Sequence, residues 1–204
     1  MGSVRQPAVA GTFYSAQASE LENSVAAHLN SPLAWDIAAK ALVVPHAGHV
    51  YSGAIAGTAY ASVRHLAPHI TRVVLLGPAH RVAFKGIAVP SADAHATPLG
   101  NIPVDWPGVA TALALAQVHI NDAAFENEHS LEVHLPFLQR ILGDFALVPL
   151  LVGDAKPEGV EHVLRKLWGG PETLVVISTD LSHFHDYAAA QKLDASASQA
   201  IETF

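Results

Sequence analysis

The sequence predicts a single α/β domain: a largely parallel central sheet covered by helices on both faces. Three observations carry that reading. Apolar runs of four to eight residues alternate with amphipathic stretches, the pattern of strands buried on both faces and joined by crossover helices. Three of these runs lead into a histidine, in Ala41-Leu42-Val43-Val44-Pro45-His46, in Val73-Val74-Leu75-Leu76-Gly77-Pro78-Ala79-His80, and in the run from Leu174 through Ser178, Asp180 and Ser182 to His183. The length, 204 residues, suffices for one sizeable hydrophobic core and gives no clear ground for a second.

The elements follow in order. Ser19 with Glu22 three residues on has capping-box spacing and announces a helix over 18–29. A strand at 41–44 is stopped by Pro45, and a helix follows at 52–65. The strand at 72–76 is broken by Gly77-Pro78, and a further strand is expected at 86–89. Residues 90–106, with Pro90, Pro98 and Pro103 among small and polar residues, read as a long ordered loop. A helix at 107–117 comes next. In 126–138 the apolar residues Leu131, Leu135 and Leu138 share one helical face, while Pro136 either kinks a helix begun at Ser130 or begins its own. In both cases Glu128 and His129 stand at its start. A strand at 145–152 precedes a helix at 157–168, opened by Pro157 and closed near Gly169-Gly170. The chain ends with a strand at 173–178 and a helix at 186–203.

Composition narrows the function. Eleven Lys plus Arg against eighteen Asp plus Glu give a net charge of -7, and no basic run appears, so nucleic acid is not an expected partner. There is no cysteine, which removes thiolate metal sites and Cys nucleophiles. Any metal must be held through nitrogen and oxygen. No apolar run approaches the roughly 18 to 20 residues a membrane span needs, and the first thirty residues lack the charged start and apolar core of a secretory leader. No membrane partner is expected, and the cytoplasm is the expected location.

Ligands in open parallel sheets gather beyond the carboxyl ends of the strands, so His46 and His80 should converge on one crevice as metal ligands or acid/base groups. His49 and Tyr51, in the Gly48–Gly53 turn, are candidates to line the cavity. Asp180 precedes His183 by three residues and could orient its ring or itself ligate, with His183 as general acid/base; Asp180 and Ser182 could equally cap a helix starting near His183. Glu128 and His129 offer a carboxylate beside an imidazole, of which one should face the site. His28, His65, His69, His95, His119 and His162 stand outside any motif and read as ordinary residues. A hydrolase using Ser178 or Ser182 with His183 and Asp180 ranks last, because no nucleophile-elbow motif surrounds either serine.

Five ordered blocks then carry a resemblance: Arg5 to Tyr14 (RQPAVAGTFY), Val44 to Gly48 (VPHAG), Leu76 to His80 (LGPAH), Glu128 to Phe137 (EHSLEVHLPF) and Ile177 to His183 (ISTDLSH). Together they resemble the Memo family, also called AmmeMemoRadiSam system protein B. The resemblance implies a fold like that of the class III extradiol dioxygenases. It also implies a mononuclear non-haem site with His46 and His80 as metal ligands and His183 as acid/base residue. Fe(II) is the implied metal, with Cu or Zn as alternatives. Family members carry a third ligand on a cysteine in a C-terminal Cys-Gly segment. This sequence has no cysteine, so residues 1–204 read as a single Memo-like domain that either is shortened by that segment or uses a local oxygen ligand such as Glu128 or Asp180 in its place. Two readings follow: a metal-dependent, dioxygenase-like oxidoreductase, with Asp180, His129, Glu128, Tyr51 and His49 around the pocket, or a module that binds a peptide or small ligand in the same crevice without turnover. The reaction, the choice of metal and the oligomeric state stay open at this stage.

Overall fold

The computed structural model describes residues 2–32 and 34–203; Met1, Leu33 and Phe204 lie outside it. The elements run β1 (Val4–Arg5), α1 (Ala18–Leu29), β2 (Ala41–Val44), α2 (His49–Ser62), β3 (Arg72–Pro78), β4 (Ile87–Val89), β5 (Ala94–Thr97), β6 (Gly100–Pro103), α3 (Trp106–Leu113), β7 (Val118–Ile120), α4 (Asp122–Glu126), a 3-10 turn (Glu132–His134), α5 (Leu135–Leu142), β8 (Ala146–Val152), α6 (Pro157–Leu167), β9 (Thr173–Ser178) and α7 (Tyr187–Glu202). Six strands form the main sheet in the order β2-β9-β3-β8-β4-β7, every pairing parallel except that of β4 with β8. A second, small sheet has the order β1-β5-β6 and is tied to β8 of the main sheet by a bridge between Val104 and Leu147. The single α/β domain with a largely parallel sheet is thus as expected.

Period-two alternation divides the core between the two faces. Val73 and Leu75 of β3 and Leu174 and Val176 of β9 pack with residues of α1, α2 and α5. Val74, Leu76 and Val175 face the other way, toward Val109 and Ala112 of α3 and Val163 and Leu167 of α6. Ser178 continues the series Leu174, Val176, and a polar residue therefore stands where the strand runs out on the α2/α5 side. Helix α7 differs from the others in having no buried residue. Among the described residues no helix is long and apolar enough to cross a membrane.

Several local expectations need correction. The 90–106 stretch is not a loop: β5 and β6 pair as an antiparallel hairpin across Pro98-Leu99. The signal was weak because β6 is a short edge strand whose one buried residue is Ile102, and Pro103, lacking an N–H, is tolerated at such an edge. The capping box at Ser19 does not form, since Ser19 lies inside α1; instead Ser15 Oγ accepts from the Gln17 N–H and donates to Glu20. No helix starts at His183. Helix α7 begins at Tyr187, capped by Asp186, whose carboxylate accepts the Ala189 N–H. Of the alternatives at Pro136, the second holds: it sits in the first turn of α5, where its missing N–H costs nothing.

A candidate three-histidine metal centre

The site lies where the sequence rule puts it, beyond the carboxyl ends of β2, β9 and β3, which are adjacent in the sheet. The register pairs Val44 with Ser178 and Leu76 with Ile177, so the residues just past each strand meet at one edge. His46 follows β2 and is buried; His80 follows β3 and is partly exposed. The third imidazole comes from elsewhere: the turn after α4 carries His129 onto the same edge. One ring nitrogen from each of His46, His80 and His129 lies within 4.8 Å of the others, close enough to share one ion. The rings of His80 and His129 stack with centroids 4.7 Å apart, and His46 meets both edge-on.

The turn reaches this position for identifiable reasons. Gly77 leaves room for it, because a Cβ there would lie 2.8 Å from Leu131 Cδ2 and 3.0 Å from Ser130 Oγ. Ser130 Oγ donates to the Pro78 carbonyl at 2.7 Å. From the other side Arg5 ties the turn down, donating to the carbonyls of Phe125 (2.9 Å) and Glu128 (2.8 Å) and to Glu132 (2.9 Å). Glu132, almost fully buried, also accepts the N–H groups of Ala8 and Val9 and the Tyr14 hydroxyl. Burial first, then the neighbouring carboxylate, pushes the Tyr14 phenol well above its ordinary range. The N-terminal block of the sequence motif is therefore a clamp on the turn that carries His129, a role that its apolar and polar pattern did not reveal.

Two of the three rings have their protons assigned by their partners. Glu128 accepts the His80 N–H (2.5 Å) and His80 Nδ1–H (2.9 Å), together with the N–H groups of His129 (2.8 Å) and Ser130 (2.9 Å). Burial alone would raise its pKa, but the hydrogen bonds from His80 and Ser130 outweigh that and hold the carboxyl at about 2. A carboxylate there can only accept, so His80 keeps its proton on Nδ1 and presents a bare Nε2. His46 Nδ1 lies 2.6 Å from Ser178 Oγ, while its Nε2 is buried with no hydrogen-bond partner. A buried imidazole nitrogen with no hydrogen-bond partner, in a group of three histidines, fits a metal ion. Burial, opposed by Asp180, brings the His46 pKa down to about 4, and burial likewise lowers that of His129. Both rings are neutral and ready to ligate near pH 7.

The other sequence candidates fall into place unequally. Asp180 borders the cluster: Oδ1 accepts the His46 N–H at 2.5 Å and Oδ2 stands 3.7 Å from His46 Nε2. Glu128, considered as a substitute ligand, spends its oxygens on hydrogen bonds behind His80. Tyr51 is highly exposed on the first turn of α2. His49 is buried away from the cluster, with Nε2 2.9 Å from the Val133 carbonyl and its ring against Phe137. His183 is exposed beside Phe184 and is not drawn into the three-histidine group; its loop holds Leu181 and Phe184 in the left-handed region, at φ 61°. Sequence reasoning named His129 but gave it no ligand role, and it passed over Tyr60, His134 and Glu132.

Known proteins resemble this chain over most of its length. The family model described as Memo-like protein matches residues 5–204. A MEMO1 family protein of Aquifex aeolicus is 37% identical over 195 residues, spanning 94% of this chain and 72% of the relative. One from Thermotoga neapolitana is 32% identical over 215 residues, spanning 98% and 77%. Protein MEMO1 of Xenopus laevis is 33% identical over 196 residues, spanning 88% and 63%. With the five motif blocks gathered around one strand-end site and the family model covering nearly the whole length, the chain belongs to the Memo family.

Proposed function

We propose that this chain is a mononuclear metal protein of the dioxygenase-like oxidoreductase type, with His46, His80 and His129 as the nitrogen ligands and Fe(II) as the metal, Cu or Zn being the alternatives. The observation that carries the proposal is the grouping of one ring nitrogen from each of His46, His80 and His129 within 4.8 Å, beside a buried His46 Nε2 that has no hydrogen-bond partner. When bound, an Fe(II) ion supplies electron exchange with dioxygen and an acidic site for an oxygen-bearing small molecule. The chain's residues do the rest. Glu128 holds the His80 ring, Asp180 holds the His46 backbone and presents its second oxygen at the mouth of the site, and His183 serves as the general acid/base three residues beyond it. The cytoplasm, with its reduced iron pool, is the matching location.

The test is metal content and oxidation state after anaerobic purification, beside the His46→Ala/His80→Ala double variant. Near-stoichiometric reduced metal in the wild type and none in the variant is the expected result, followed by metal-dependent oxygen uptake with catechols. Retained stoichiometric metal in the double variant would sink the proposal. A second reading is favoured by the exposed Val50, Tyr51 and Phe184, three large apolar side chains on the α2 start and the His183 loop. In that reading the crevice binds a peptide or small ligand without turnover, and chelator-insensitive binding is its signature.

A further inference from the structure

Behind His46 the protein interior carries a chain of polar groups that the motif reading did not explain. Ser178 Oγ, at the end of β9, is within hydrogen-bond distance of three partners: the Ser130 carbonyl (2.7 Å), His46 Nδ1 (2.6 Å) and His134 Nε2 (2.9 Å). His134 Nδ1 in turn lies 2.9 Å from the Tyr60 hydroxyl on α2. Tyr60 and His134 are fully buried and Ser178 and His46 nearly so. Tyr60 also stacks on Phe137 of α5, which holds its ring in place.

These contacts admit one arrangement of protons. The Ser130 carbonyl can only accept, so the Ser178 hydroxyl donates to it. The two lone pairs of Oγ then accept from His46 and from His134. His46 therefore carries its proton on Nδ1. His134 carries its proton on Nε2, and its bare Nδ1 accepts the Tyr60 O–H. Every group in the row is satisfied except His46 Nε2, which is left as an unshared lone pair facing His80 and His129. In a buried row whose members bond to one another, the order of the protons is set by the fold.

We propose that Tyr60, His134 and Ser178 form a buried positioning array that fixes the tautomer and the aim of the His46 ring, so that the site is set for a metal ion before one arrives. The proposal rests on the metal reading given above and adds to it the three residues that orient one ligand. They touch no substrate. Groups that orient ligating imidazoles commonly change metal affinity by about 10- to 100-fold when removed.

The experiment has two readouts. Long-range proton–nitrogen spectra of metal-free protein labelled with 15N-histidine report which ring nitrogen bears the proton, His46 and His134 being assigned by loss of their signals in His46→Gln and His134→Gln. Anaerobic Co(II) titration against a chromogenic chelator reports affinity. In the wild type, His46 is expected protonated on Nδ1 and His134 on Nε2. Ser178→Ala releases the His46 tautomer preference and weakens Co(II) about 10- to 100-fold, whereas His134→Gln, whose amide can donate to Ser178 and accept from Tyr60, keeps both within about threefold. A wild-type His46 protonated on Nε2, or a Ser178→Ala protein that folds with unchanged tautomer and affinity, overturns the array. Expected protons with no Co(II) uptake by the wild type would leave the array standing and remove the metal reading instead.

Discussion

Replacing Glu128 by glutamine changes one atom and tests the centre's main electrostatic support. The carboxylate takes four N–H donors, three on Oε1 and one on Oε2. A glutamine oxygen can keep the donors on one side, but its amide nitrogen then faces another N–H, so one donor is left buried without a partner. The carboxyl is held at about 2 against an ordinary 4.5. At 1.36 kcal/mol per unit, the charged form contributes about 3 kcal/mol to folding at pH 7. The folded pKa lies below the unfolded one, so this contribution is complete above pH 4.5 and fades as pH falls toward 2. By the same relation about 1 kcal/mol remains at pH 3. Urea denaturation of metal-free wild type and Glu128→Gln, each at pH 7 and pH 3, checks both figures. A stability difference below about 1 kcal/mol at pH 7, or one that does not shrink on acidification, refutes the reasoning.

Other outcomes follow from the same geometry. Glu132→Gln leaves the buried Arg5 guanidinium without its charge partner and should cost about 3 to 5 kcal/mol in urea denaturation; Arg165→Ala, which breaks the exposed pair with Glu161, should cost less than about 1 kcal/mol. Burial, then the Arg5 charge, depresses His95 to about 3, so the folded protein refuses a proton that the unfolded chain accepts below 6.5. Stability is therefore lost as pH falls from 6.5, by about 2 kcal/mol between pH 7 and pH 5 from this ring alone, and His95→Leu should remove that part of the slope. His129→Ala should weaken Co(II) or Fe(II) binding at least about tenfold, while His183→Ala should leave metal stoichiometry intact and lower any turnover by about 10²- to 10⁴-fold. Equal metal affinity in His129→Ala and wild type would remove His129 from the ligand set.

Much of the scaffold could be read from local pattern. The strands that carry the site are apolar runs, and Pro45 stops β2 as expected; Gly77-Pro78 does not break β3, which runs on to Pro78 because both residues pair with Leu151 and Val152 of β8. The β5–β6 hairpin was missed because its strands are short and mostly small or polar, with pairing rather than burial defining them. His129 was given no ligand role for a different reason. Sequence adjacency to Glu128 suggested a division of labour between neighbours, whereas a tight turn puts the Glu128 side chain behind His80 and the His129 ring beside it.

The sequence by itself determined an α/β protein of the Memo family whose His46 and His80 stand past adjacent strand ends, because strand length, strand stops and the parallel-sheet crevice rule are properties of local order and general topology. Only the tertiary structure decided that β9 lies between β2 and β3, that a ring nitrogen of His129 lies with those of His46 and His80, and that Arg5 and Glu132 clamp the turn that brings it there. It also decided that Ser178, read from sequence as a possible nucleophile, donates its hydroxyl to the Ser130 carbonyl and turns its two lone pairs to His46 and His134. The physical reason is distance along the chain: each of these pairings joins residues tens of positions apart, and hydrogen-bond partners at that separation are chosen by how the layers pack rather than by any signal in the neighbouring residues.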